Sequence, residues 1–417
     1  MDGKNTGYNL DNVEMGADLA PRFLGDGHHA IWVTTTGGTG NYVAKAFKDG
    51  KPVVTANQIV SLVTAPRGDS FAAVVQDHNF TQWAVYLNGR EVPGTRYSNQ
   101  NYGAAPVAIF SPDGKHLAVA CNTGDDNAYV VRDGKKGESY DSIPTSTAGP
   151  AADSIGFSAD SRSFGYFGMA GGKYFAVIDG QEYDTPFSGG DGLRFSPEGH
   201  HVAVLGQVAD GGGSAVYVDG KKVLAGMNLL DTKTFAFNRN GSHWLVLDIG
   251  GSHEGLILDG RLLPFIHGEN LNPHDYLFSP DGSKLAVRGS VSHQGFGFFL
   301  FDLSTNRMVR VGPASGIKWS GDPVFSPDGK HLYFEASDGK MIRGMGSTYR
   351  QDFIYADGRR TDAKIQAGFF PKFQWPEQTA ACWAVGPDDK LYALRSANNA
   401  VTRFVVTPPA GDLDALW

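Results

Sequence analysis

The stretch that decides the architecture is AIFSPDGKHLAVA, Ala108 to Ala120. An apolar run meets Ser-Pro-Asp-Gly and is followed by a second run of alternating apolar residues. Proline presets φ and glycine accepts a positive φ, so Pro-Asp-Gly marks a reverse turn. Side chains that alternate on both flanks mark strands. The segment reads as a β-hairpin.

The phrase recurs as LRFSPEGHHVAVL from Leu193, YLFSPDGSKLAVR from Tyr276 and PVFSPDGKHLYFE from Pro323. Weaker copies begin at Ile155 and Phe235, and the weakest at Arg22, Val63 and Trp383. The position of the motif phenylalanine falls at Phe23, Thr64, Phe110, Phe157, Phe195, Phe237, Phe278, Phe325 and Val385. Such a period marks a repeat architecture. A second turn follows each copy at a regular offset, as in FKDGKPV from Phe47, YLNGREV from Tyr86 and YVDGKKV from Tyr217. Asn-Gly and Asp-Gly favour tight primed hairpin turns. Two hairpins per copy make a four-stranded antiparallel sheet, which reads as one blade of an all-β propeller.

Nine copies predict nine blades, with eight the alternative, in a single domain over residues 1–417. The last copy has room for three strands, so a strand from the N-terminal segment GYNLDNVEM is expected to close the ring. The FSPDGK hairpin resembles the TolB-like, or WD40-like, β-propeller repeat over roughly Ala20 to Val406. That resemblance implies a propeller scaffold and leaves function open.

Composition narrows the function classes. The 55 glycines carry no collagen-like period and fit short strands and tight turns. A net charge of -8, with no basic tract, argues against a nucleic-acid partner. No apolar run is long enough for membrane insertion, and the first residues, MDGKNTGYNLDN, lack a secretory apolar region. The expectation is a soluble protein, cytoplasmic or secreted with its leader removed. Cys121 and Cys382 read as free buried thiols. The sequence has no G-x-S-x-G elbow, P-loop or dinucleotide fingerprint.

With strands labelled A to D in order, the A–B and C–D turns are short and uniform and share one face. The B–C loops and D–A links then share the other face, and their variability marks it as functional. The histidines beside the A–B turn, including His116 and His331, read as structural. His78, His253, His267, His274 and His293 fall on the variable face, with Glu254, Glu269, Asp275 and Gln294 nearby. His253, His267, His274 and His293 are the expected ligands of one divalent metal, Zn, Mn or Ca. Two of these four, His267 and His274, sit in FIHGENLNPHD, where Pro273 restricts the backbone ahead of the next strand. Asp125 and Asp126 form a weaker calcium candidate.

The same face carries Arg96, Tyr97 and Tyr102 in GTRYSNQNYG, Trp319, and a long link with Arg359, Arg360, Phe369, Phe370, Phe373 and Trp375. Aromatic rings beside Arg and Asn suit a peptide, protein or glycan ligand, and Tyr97, Trp319 and Trp375 are the expected contacts. The phenylalanines of the long link read as its own small core. A ligand-binding propeller is the first functional expectation. The alternative is a metal-dependent polysaccharide or oligosaccharide lyase or hydrolase, as a resemblance to oligogalacturonate lyases implies. There Arg96 would neutralise a uronate carboxylate, and a histidine such as His274, or Tyr102, would take the proton.

Overall fold

The computed structural model describes residues 21–37, 42–98, 103–124, 126–144, 154–185, 187–227, 230–248, 255–263, 276–291, 295–312, 319–320, 323–337, 341–344, 347–367, 383–397, 400–406 and 413–416. Each of the nine motif copies folds into its own antiparallel sheet. In the third sheet the strands Val107–Phe110, Leu117–Asn122, Ala128–Arg132 and Lys135–Tyr140 lie side by side in chain order. Five other sheets repeat that order. The second adds a short strand, Tyr97–Ser98, on Gln82–Leu87. The eighth has six strands, because Trp319–Ser320 and Val324–Phe325 both pair with Leu332–Ser337, and Met341–Gly344 forms an extra hairpin with Ser347–Ala356. The ninth has three: Trp383–Val385, Leu391–Ala397 and Ala400–Val406.

Local chemistry explains each hairpin. In the A–B turn, Gly114 N–H donates to the Ser111 carbonyl at 2.9 Å. The Ser111 hydroxyl donates to Asp113 Oδ1 at 2.6 Å and accepts from His116 N–H at 3.0 Å. Ser111 is fully buried, as are Ser158, Ser196 and Ser326 at the same place. In the C–D turn, Asp133 and Gly134 have φ of 50° and 77°, and Asp219 and Gly220 have 48° and 74°. Two successive positive φ values are what the type I′ turn requires.

The two turns are then tied together. His116 Nδ1 lies 2.8 Å from Asp133 Oδ2, while Leu117 N–H donates to Asp133 Oδ1 at 2.9 Å. The same pairing joins His29 to Asp49, His201 to Asp219, His243 to Asp259 and His331 to Asp357. The A–B and C–D turns therefore share one face, and these motif histidines are structural.

The chain divides into two compact units, Met1–Thr232 and Lys233–Trp417. Within each unit, consecutive sheets bury a common core. Ile31, Val33 and Val54 of the first sheet pack with Ile59, Phe71 and Ala73 of the second. Leu285, Val287 and Phe299 of the seventh pack with Leu245, Leu256 and Leu258 of the sixth. In the second unit a short 3-10 helix, Leu413–Leu416, buries Leu413 beside Phe298 and Phe334. Cys121 is a free, buried thiol whose pKa is pushed up to about 12 by burial, and Cys382 lies outside the described residues.

The expected propeller is not formed. Each sheet is an open ladder, and none closes on itself or curls into a barrel. The nine- or eight-bladed closed ring is therefore corrected to a series of open antiparallel sheets. The segment GYNLDNVEM, expected to supply a closing strand, lies outside the described residues. The first described strand, Arg22–Phe23, pairs with Ala30–Thr36 of its own sheet, as the first hairpin predicts. The reason is physical: turn residues and alternation specify contacts within one repeat, whereas closure depends on angles between repeats that no local pattern encodes.

Candidate ligand-binding site

The B–C connection of the second sheet joins Phe71–Asp77 to Gln82–Leu87. It carries three consecutive left-handed residues without a glycine: His78, Asn79 and Phe80, with φ of 47°, 57° and 65°. For L-residues this conformation costs about 1–2 kcal/mol each, asparagine tolerating it best. Neighbouring hydrogen bonds hold it in place. Thr81 N–H donates to the Asp77 carbonyl at 3.0 Å, and the Thr81 hydroxyl to the His78 carbonyl at 2.6 Å. Gln76 Nε2 donates to the Phe80 carbonyl at 3.1 Å.

A further bond crosses to the preceding link. Asn79 N–H donates to Asn57 Oδ1 at 2.9 Å, and Asn57 stands between the last strand of the first sheet and the first strand of the second. Tyr42, immediately before the third strand of the first sheet, Val43–Lys48, meets Phe80 edge to face with ring centroids 6.5 Å apart. Tyr42, His78 and Asn79 are exposed. Two B–C connections and one D–A link thus converge here.

Beside this loop lies a charged cluster. Arg96 grips Glu91 with both ends of its guanidinium, Nε to Oε1 at 3.0 Å and Nη2 to Oε2 at 2.7 Å. It also donates to Gln82 Oε1 at 3.1 Å and Tyr86 Oη at 3.3 Å, with Asp77 Oδ2 3.7 Å away. Hydrogen bonding from Arg96 holds the Glu91 carboxyl below its usual range, and Glu91 in turn raises the Arg96 pKa. An incoming carboxylate would have to displace Glu91, so the guanidinium serves first to brace the end of this sheet.

The other expected site residues are dispersed. Tyr97 is buried in the core shared by the second and third sheets, and its hydroxyl donates to the Ala104 carbonyl at 2.5 Å. Burial raises its pKa. Trp319 opens the two-residue strand Trp319–Ser320. Arg359 and Arg360 stand on the strand Arg359–Ala367 immediately after the Asp357-Gly358 turn, not in a link, because Asp357-Gly358 is itself a C–D turn. Arg360 lies over the Phe353 ring at 4.3 Å. Tyr102, Trp375, His253, His267, His274 and His293 lie outside the described residues, as do FIHGENLNPHD, Asp125 and the phenylalanines of the long link.

Among the described residues no group of three or more His, Cys, Asp or Glu side chains is placed to hold a metal ion. His116, His201, His243 and His331 each meet one carboxylate of their own sheet. Among the described residues this argues against the metal-binding lyase reading, whose expected ligands His253, His267, His274 and His293 lie outside them. No helix among the described residues is long and apolar enough to cross a membrane.

No family model matches the chain, and no curated protein does. Solved structures give distant likenesses. A eukaryotic initiation factor is 14% identical with a TM-score of 0.46, covering 83% of this chain and 85% of that one. An oligogalacturonate lyase in complex with manganese is 12% identical with a TM-score of 0.31, covering 73% and 89%. A putative TolB from Agrobacterium tumefaciens is 15% identical with a TM-score of 0.28, covering 51% and 79%. The resemblance is broad and non-specific. It does not extend to a TolB- or WD40-specific repeat family.

Proposed function

We propose that this chain is a ligand-binding protein, and that its site is the surface where Tyr42, Asn57, His78, Asn79 and Phe80 meet. The observation that carries the reading is the left-handed run His78–Phe80. Three non-glycine residues in this conformation lower stability, and nearby hydrogen bonds maintain the loop in spite of that. Strain kept in this way is characteristic of binding and catalytic loops. The exposed groups are an imidazole, a carboxamide and a tyrosine ring. They suit a glycan or an extended peptide, which offers hydroxyl or amide groups to Asn79 and a flat face to Tyr42.

A panel of oligosaccharides and peptides screened by calorimetry tests the proposal. Each aromatic contact is worth about 0.5–1.5 kcal/mol beyond its buried area. Tyr42→Ala should therefore weaken binding roughly tenfold, and Asn79→Ala should weaken it too. Binding unchanged in both variants would place the ligand elsewhere and overturn the assignment.

A further inference from the structure

The sequence holds two Asn-Gly pairs, Asn88-Gly89 and Asn240-Gly241. In such a pair the glycine nitrogen can attack the asparagine side-chain carbonyl, because glycine carries no side chain to hinder the approach. Both asparagines stand in turns where other sheets carry aspartate. Asn88 holds the C–D position of Asp49, Asp133, Asp179, Asp219, Asp259 and Asp357. Asn240 holds the A–B position of Asp113, Asp160, Asp281 and Asp328.

The two turns treat the glycine nitrogen differently. Gly241 N–H donates to the Asn238 carbonyl at 3.0 Å. Asn240 Oδ1 also accepts from the N–H and the hydroxyl of Ser242, at 3.0 and 2.7 Å. Gly89 N–H, by contrast, has no hydrogen-bond partner among the described residues. Asn88 beside it is exposed, so water has access to the turn.

An aspartate at position 88 would fit the wiring already present. Asn88 Oδ1 accepts from Phe71 N–H at 3.0 Å, as Asp133 Oδ1 accepts from Leu117 N–H at 2.9 Å. Asn88 Nδ2 donates to Ser70 Oγ at 3.1 Å, where Asp133 Oδ2 meets His116. A carboxylate keeps the first bond, and its second oxygen accepts from the Ser70 hydroxyl.

We propose that Asn88 is a site of spontaneous deamidation, with water as the co-reactant. The Gly89 nitrogen needs no hydrogen bond broken before it bonds to Asn88 Cγ. The Cγ–Nδ2 bond then breaks, and ammonia leaves with the Gly89 proton. Water opens the resulting cyclic imide. Cleavage at the Cγ–N bond gives an aspartate with a normal backbone, which closes into the same clamp.

The test incubates the full-length protein at mildly alkaline pH and follows both sites by peptide mapping with mass spectrometry. The Asn88 peptide should gain the mass difference between an amide and an acid well before the Asn240 peptide does. Ser70→Ala removes one bond that holds the Asn88 carboxamide. It should speed conversion there about fivefold, the factor that one ordinary hydrogen bond supplies, and leave Asn240 unchanged. Asn88→Asp, which stands for the product, should melt no lower than the parent. No conversion at Asn88 while the urea-unfolded chain converts would overturn the proposal. So would an Asn240 rate equal to or above that of Asn88, and a lower Tm for Asn88→Asp would overturn the fit of the product.

Discussion

His331 Nδ1 lies 2.7 Å from Asp357 Oδ2, and Leu332 N–H donates to the other oxygen of the same carboxylate at 2.8 Å. A single side chain thereby clamps the A–B turn to the C–D turn of the eighth sheet. Of the histidine–aspartate pairs, this is the most enclosed, with side chains 19% and 9% exposed. Asp357→Ala leaves a backbone donor and an imidazole N–H unserved at once. Each buried hydrogen bond to a charged group contributes about 1.5–3 kcal/mol, so the variant should lose roughly 2–4 kcal/mol overall. Asp133→Ala in the third sheet, where the pair is 38% and 41% exposed, should lose clearly less. Urea unfolding of both variants checks the ordering.

The serine of the motif sets an acid-side dependence. The Ser111 hydroxyl, with Lys115 N–H second, holds Asp113 well below its usual range, at about 2. A carboxyl whose folded pKa is depressed contributes stability that is fully present above its unfolded value. That contribution is lost as pH falls through the folded value. Asp113→Asn should therefore lower Tm relative to the parent near neutral pH, with the difference shrinking between about pH 4 and 2. Ser111→Ala should move the Asp113 titration upward, read by carboxyl NMR. A titration unmoved by that substitution would contradict the assigned cause.

Gly114 tests the packing between repeats. Its φ is +76°, and a Cβ at this position would run into the Arg67 carbonyl of the preceding sheet's turn. Gly114→Ala thus meets both a left-handed backbone and a clash with main chain that cannot swing aside. The backbone preference alone costs about 1–2 kcal/mol. The loss should exceed that of alanine at Gly27, where φ is +71° but nothing lies within 4 Å of the added carbon. Equal losses would mean that the close approach of the two turns contributes nothing.

How legible these features were in the sequence depended on how local their causes are. Phe110, Pro112, Asp113 and Gly114 act within a few residues of each other, so the hairpins, the primed turns and one sheet per motif copy could be read directly. His116 could be read as structural because it recurs beside a turn. Its partner Asp133 was visible only as a turn residue, since the pairing needs two hairpins to fold together. The hub role of Ser111 and the contact of Gly114 with Arg67 depend on burial and on the neighbouring sheet. Ring closure depended on more distant geometry still, and there the expectation failed. The left-handed run at His78 was hidden for another reason: HNF contains no glycine, so nothing in its composition announces a positive φ.

That run also yields the sharpest test of function. His78 is exposed and holds φ of 47°, a conformation that glycine adopts without steric cost. His78→Gly removes the strain while the carbonyl that accepts from the Thr81 hydroxyl stays in place. Glycine also gains freedom in the unfolded chain, which offsets part of the benefit. The net change should be a stabilisation of about 0.5–1 kcal/mol. If the loop is kept for its shape and side chains, the same variant should bind the ligand more weakly while melting higher. Calorimetric titration and thermal melting on one preparation read both quantities. A variant that is more stable and binds as well as the parent would show that the histidine is not needed at the site. A less stable variant would show that His78 makes native contacts worth more than the strain.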